Sequence, residues 1–219
     1  MTDTDLTDTD LGAPSLAPPT DIRAPFARAV ATAQPVIAAV RPDQLGDPTS
    51  CDQFDVRQVL DHLVGALRKV ARIGRGESPF APDETVADGK WSEAWTAAAH
   101  ETRAAWTDDA TLRRMVRLPW TEMTGEKALE VYLSEITVHT WDLATATGQS
   151  PAWDVEVVAI GLGAMQRELP AEGRTASYEE AFKHMPAGTP TDPPFAEAVS
   201  LPIGAPPIEQ LVAWTGRRP

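Results

Sequence analysis

At 219 residues the chain is long enough for one sizeable hydrophobic core, or a core with a small appendage. Aliphatic and aromatic residues make up 42% and charged residues 23%, the balance of an ordinary soluble globular protein. A formal net charge of −13 and a pI near 4.7 argue against nucleic acid and anionic membrane surfaces as partners, since their phosphates would be repelled.

No apolar run approaches the roughly 20 residues of a transmembrane helix. Residues 1–19 lack the basic and apolar regions of a secretory signal. They hold a tandem TDTDL, then a Pro-rich stretch, and read as a disordered acidic tail. Removing its four Asp from −13 leaves −9, so the body is acidic too. The single cysteine, Cys51, permits no internal disulfide and suits a reducing cytoplasm. Arg outnumbers Lys 15 to 4 in an Ala- and Pro-rich chain, a compositional hint of a GC-rich bacterial genome.

The first predicted helix starts at a Thr20 or Asp21 cap and runs to about Val40, bent at Pro35. The turn RPDQLGDPTS leads to a second helix, capped by Asp55 and ending at Gly74 or Gly76. Residues 77–89 read as a loop. A third helix, about Ser92 to Thr107, carries Trp95, Ala98, Ala99, Thr102 and Trp106 along one stripe. Leu112 to Trp120 alternates weakly, as a short strand or hairpin would. The fourth helix spans about Gly125 to Thr147, with Thr124 as cap and Gly148 as stop; the fifth spans about Asp154 to Glu168, closed by Pro170. From there to Ile208 the chain is rich in Pro and Gly, and only IEQLVAWTG looks helical again. The expectation is an all-α, up-and-down helical bundle over 20–169, with an irregular extension over 170–219 packed on it.

The fourth helix sets a problem. At 100° per residue, with Glu135 at zero, His139 falls at about 40° and Asp142 at about 340°, among Ala128, Tyr132, Leu143 and Ala146. Lys127, Glu130, Ser134 and Thr137 lie opposite and read as the polar face. Glu135 and His139 should therefore point inward. An unpaired buried carboxylate costs several kcal/mol, so something must compensate it. A cation held by Glu135 and His139 at i and i+4 is one answer. A hydrogen-bonded Glu–His couple and a water-facing edge helix are the others.

A metal needs a third ligand from elsewhere. His100 lies off the tryptophan stripe and reads as solvated, and His184 reads as a surface-loop residue. His62, in DHLVG on the second helix, sits at the edge of the stripe of Val56, Leu60, Leu63 and Leu67, beside the small residues Gly65 and Ala66. It is the best third-ligand candidate. Cys51, just before that helix, reads first as buried packing and second as a fourth ligand.

The stretches CDQFDVRQVLDHLVGALRKVARIGRGE and ALEVYLSEITVHTWDLATATGQ, with the closing PPIEQLVAWTGRRP, resemble the DinB-like metal-binding bundles of actinobacteria. Within them the chain is similar to the mycothiol-dependent maleylpyruvate isomerase N-terminal, metal-binding domain. The resemblance covers most of 20–169 and the last dozen residues. It implies a DinB-like four-helix bundle with an extra helix. It also implies a divalent metal, typically zinc, held by His62, Glu135 and His139; it gives Asp142 no ligand role, and Asp142 reads instead as orienting His139 or another ligand from behind. Three protein ligands leave a position open, which suits catalysis rather than a structural role. The expected function is thus a transferase or isomerase that uses mycothiol, with a low-molecular-weight thiol and a small-molecule substrate as partners. A metal-dependent hydrolase and a non-catalytic metal or small-ligand binding protein are the alternatives. The protein is expected in the cytoplasm, as a monomer or homodimer.

Overall fold

A computed structural model describes residues 21–79, 81, 85–118, 121–182 and 195–219. The acidic tail predicted over 1–19 and His184 lie outside the described residues. Helix α1 runs Arg23–Ala38 and contains Pro35. Its start departs from expectation: Ile22 occupies the cap position and no side chain caps the helix. Asp21 is drawn instead to Arg23, accepting its backbone N–H at 3.0 Å and its guanidinium at 2.9 Å. A 3-10 turn at Pro42–Gln44 follows, and the buried Gln44 donates to the Thr147 carbonyl at 3.2 Å.

Helix α2, Val56–Arg75, begins as its sequence dictates. The Asp55 carboxylate accepts from the Gln58 N–H, and the Gln58 side chain accepts from the Asp55 N–H, so two otherwise orphaned donors are satisfied. Gly76, at φ +78°, turns the chain out of it in the left-handed region. Leu60, Leu63 and Leu67 on its inner face are fully buried, each worth about 2 kcal/mol of transfer free energy.

Helix α3, Trp91–Ala105, buries Trp91, Trp95, Ala98 and Thr102. Its polar tips locate it against its neighbours. Trp91 Nε1 donates to Asp61 at 2.7 Å, Trp95 Nε1 to the Val30 carbonyl at 3.3 Å, and Thr102 Oγ1 to the Leu67 carbonyl at 3.1 Å. His100 is exposed, as expected. A short helix α4, Asp109–Arg113, was not anticipated; Asp108 caps it through the Ala110 N–H. The hairpin pairs β1, Met115–Arg117, with β2, Glu122–Thr124, antiparallel with Val116 opposite Met123. Its second strand therefore lies beyond the 112–120 window.

Helix α5, Gly125–Ala146, is capped by Thr124 and left through Gly148 at φ +70°. The polar face assigned to it is corrected: Ser134 and Thr137 are buried, with Leu133 and Val138 beside them. Helix α6, Val155–Glu168, capped by Asp154, covers that side, and α5 is thus enclosed along most of its length. Thr137 suits the burial because its hydroxyl donates back to the Leu133 carbonyl at 2.7 Å. Gly161 of α6 lets the two helices close, for a Cβ there would stand 3.4 Å from Ser134 Cα.

The C-terminal region holds an unexpected helix, α7 at Arg174–Phe182, and, where IEQLVAWTG read as helical, α8 at Pro207–Trp214. The four-helix bundle consists of α1, α2, α3 and α5. Both α1 and α2 pack against α3 and α5, so α1 and α2 stand across the diagonal. One core fills this bundle, and a smaller cluster of Val138, Val158, Ala164, Met165, Leu211 and Val212 joins α5, α6 and α8. Among the described residues the fold is all-α apart from the hairpin. Among the described residues no helix is long and apolar enough to cross a membrane.

Candidate metal centre

Because α2 and α5 are adjacent, His62 and Glu135 meet although they are 73 positions apart in sequence. His62 Nε2 lies 2.7 Å from Glu135 Oε1, and His139 Nε2 lies 3.7 Å from the same oxygen. The two imidazole rings stand edge to face with centroids 4.5 Å apart. One donor atom from each of the three residues falls within 4.8 Å of the others. Ligand bonds near 2.1 Å would put tetrahedral donors about 3.4 Å apart. The two distances to Glu135 Oε1, 2.7 and 3.7 Å, bracket that spacing, and two nitrogens with one carboxylate oxygen are a zinc-type donor set.

Exposure grades across the cluster. The side chains of His62 and Glu135 are 29% and 25% exposed, whereas His139 is 7% exposed and Asp142 wholly buried. One side of the cluster therefore opens outward. Phe54 walls it, with its ring centroid 5.1 Å from that of His62 and 6.1 Å from that of His139. Nothing in the helical periodicity singles out Phe54, since it lies in the loop before the Asp55 cap.

Asp142 Oδ2 stands 3.0 Å from His139 Nδ1, although the approach is oblique and Nδ1 makes no well-aligned hydrogen bond. Behind Asp142 is Arg217, whose Nη2 donates to Oδ2 at 2.9 Å and whose Nε donates to Oδ1 at 3.3 Å. Sequence reasoning missed this partner. The signal lay in Asp142 itself, an inward carboxylate whose own helix carries a single cation, Lys127, 15 positions away.

The electrostatics follow from these contacts. Burial pushes the Glu135 carboxyl up, but the His62 hydrogen bond, the charges of the two imidazoles and Arg217 outweigh it and hold the group well below its ordinary range. Burial lowers His139, and the neighbouring His62 lowers it further, against the opposing pull of Asp142 and Glu135. Asp142 is likewise held below its usual value; burial opposes this, and His139 and Arg217 prevail. Glu135 is therefore an anion and His139 a neutral imidazole near pH 7, the forms in which both donate electron pairs to a cation.

Cys51 is half-buried, and its sulfur, with His139 and Asp142, forms a second cluster of donor atoms. That cluster is the poorer cation site because a guanidinium already occupies both oxygens of Asp142. Burial also pushes the Cys51 thiol up, which disfavours the thiolate a metal would take.

Two relatives, both described as uncharacterised proteins, come from Mycobacterium tuberculosis strains CDC 1551 / Oshkosh and ATCC 25618 / H37Rv. Each is 32% identical over 184 residues, covering 83% of this chain and 90% of the relative. No solved structure matches the chain significantly. The family model for the mycothiol maleylpyruvate isomerase N-terminal domain matches residues 26–144, the span that holds the bundle helices and all three donors of the open cluster. The chain belongs to the mycothiol maleylpyruvate isomerase N-terminal domain family.

Proposed function

We propose that the protein binds a divalent metal, zinc foremost, through His62, Glu135 and His139, and that it is a mycothiol-dependent transferase or isomerase. The observation that carries this reading is the convergence of those three donors within 4.8 Å on an outward-opening wall, in a family of mycothiol-related, DinB-like metal-binding domains. A divalent cation there supplies positive charge that favours the deprotonated form of an incoming thiol. The chain's own residues do the rest. Glu135 offers an ionised carboxylate and His139 a neutral ring, so neither has to release a proton before binding. Two imidazoles and one carboxylate would leave net positive charge on a dication that they hold. Phe54 supplies an apolar wall beside the two imidazoles.

The test is cobalt-substituted protein titrated with mycothiol, observing the sulfur-to-metal charge-transfer band. The band should appear with wild-type protein and be absent in His139→Ala. Metal-loaded protein that gives no band with mycothiol or other small thiols would shift the reading to a metal-dependent hydrolase or a non-catalytic binding protein. Protein that takes up no metal would leave the His62–Glu135 contact as a plain hydrogen-bonded couple.

A further inference from the structure

Asp142 and Arg217 form an ion pair in the interior, Asp142 fully buried and Arg217 only 6% exposed. Desolvating two such charges costs about as much as their attraction returns, so stability alone is a poor reason for the pair. What the pair does have is direction. Arg217 presents Nε and Nη2 to the two oxygens of Asp142, while its Nη1 donates to the Thr215 carbonyl at 3.2 Å. The fork fixes the carboxylate plane, and the Asp142 oxygen that takes the shorter bond is the one 3.0 Å from His139 Nδ1.

The end of the chain is in turn held rigidly. The Arg217 N–H donates to the Val212 carbonyl at 3.0 Å, and Gly216 turns the backbone at φ +93°. A Cβ on Gly216 would lie 2.8 Å from Ala196 Cβ and 3.1 Å from its backbone, so the close approach itself needs glycine. Arg174, also buried, donates to the carbonyls of Trp214 and Ala196 and ties that crossing to α7.

We propose that Arg217 is a positioning residue of the metal centre, which acts through Asp142 to hold the His139 ring with Nε2 directed at Glu135. The inference rests on the metal reading above. With its plane fixed, the Asp142 charge 3.0 Å from Nδ1 favours the proton on that nitrogen electrostatically and leaves the Nε2 lone pair on the side of His62 and Glu135. Without Arg217 the carboxylate has no fixed plane, and the ring is left to its contacts with His62, Phe54 and Glu135. Metal affinity then depends on residues that never touch the metal.

The experiment compares wild type, Arg217→Gln, Arg217→Lys and the exposed-site control His100→Gln. Zinc affinity is measured by competition with a chromogenic chelator, and the tautomer of His139 is read from ring 15N shifts of the metal-free protein. Arg217→Gln should weaken zinc binding by about 10- to 100-fold and erase the preference for the Nδ1–H tautomer. Arg217→Lys, which keeps the charge and loses the fork, should recover only part of both. His100→Gln should match wild type. If Arg217→Gln does not fold, Arg217→Lys decides. Wild-type zinc affinity and an unchanged His139 tautomer in a folded Arg217 variant would overturn the proposal. If wild type itself binds no zinc, the metal reading fails separately; an unchanged tautomer then still overturns the role of Arg217 as a positioning residue.

Discussion

His62 Nε2 and Glu135 Oε1 stand 2.7 Å apart, joining the second and fifth helices where the donor cluster opens outward. The contact is short enough for a hydrogen bond, and the atoms are those a cation would separate slightly on entering. Metal uptake should therefore couple directly to folding. At a metal concentration about 100 times Kd the folded state gains about 2.7 kcal/mol. For a chain of this size that is roughly 5–10 °C in Tm. Chelation should remove this increment from wild type and leave Glu135→Gln almost unaffected, because that variant binds weakly from the start. Calorimetric scans with and without chelator decide it, and coincident wild-type curves would favour the Glu–His couple.

The chelated protein should lose stability as pH falls. Glu135 and Asp142 have folded-state values depressed below their ordinary 4.5 and 3.8, and His139 lies below its ordinary 6.5. In all three cases the unfolded chain binds protons first, so each contribution is complete above the ordinary value and shrinks below it. The decline should begin as pH drops through 6.5, from His139, and steepen below 4.5, from the carboxyls. Tm measured from pH 8 to pH 4 in chelator checks this. A Tm that rises on acidification between pH 7 and 5 would contradict the buried neutral imidazole.

Two glycines should respond oppositely to alanine. Gly125 opens α5 against α4, and a Cβ there would stand 2.3 Å from the Thr111 carbonyl oxygen and 2.9 Å from the Trp106 ring. Backbone cannot yield as a side-chain tip can, so Gly125→Ala should cost about 1–3 kcal/mol. Gly163 in α6 meets only the end of Arg167, at 3.4 Å. Gly163→Ala should gain roughly 0.5–1 kcal/mol from helix propensity. Urea unfolding of the two variants is the measurement, and equal effects would mean that α5 does not start where it is described.

Cys51 should be a bystander to thiol chemistry. Burial lifts its pKa above the ordinary 9.0, and the opposing influence of Arg217 does not reverse that. Cys51→Ala should keep the cobalt–mycothiol band and full metal content, and alkylation of wild-type Cys51 at pH 8 should be slow. A band that vanishes in Cys51→Ala would make its sulfur the ligand.

Local chemistry was legible before any coordinates. The Asp55, Thr124 and Asp154 caps and the left-handed Gly76 and Gly148 each depend on residues within a few positions of one another. The wheel likewise turned His139 and Asp142 inward, because 3.6 residues per turn is a property of the backbone alone. The burial of Ser134 and Thr137 was not legible, because the sequence pattern shows polarity and not the helix that covers it. Here α6 and α8 supply apolar partners while the threonine hydroxyl turns back onto its own helix. The position of His62 was ambiguous for a related reason: a residue at a stripe's edge faces whichever neighbour packs there, and α2 packs on both α3 and α5. Least legible was the Asp142–Arg217 pair, 75 positions apart. Attraction between two charges depends on their separation and burial in space, and only the packing of α8 against α6 and α5 brings the end of the chain to the back of the cluster.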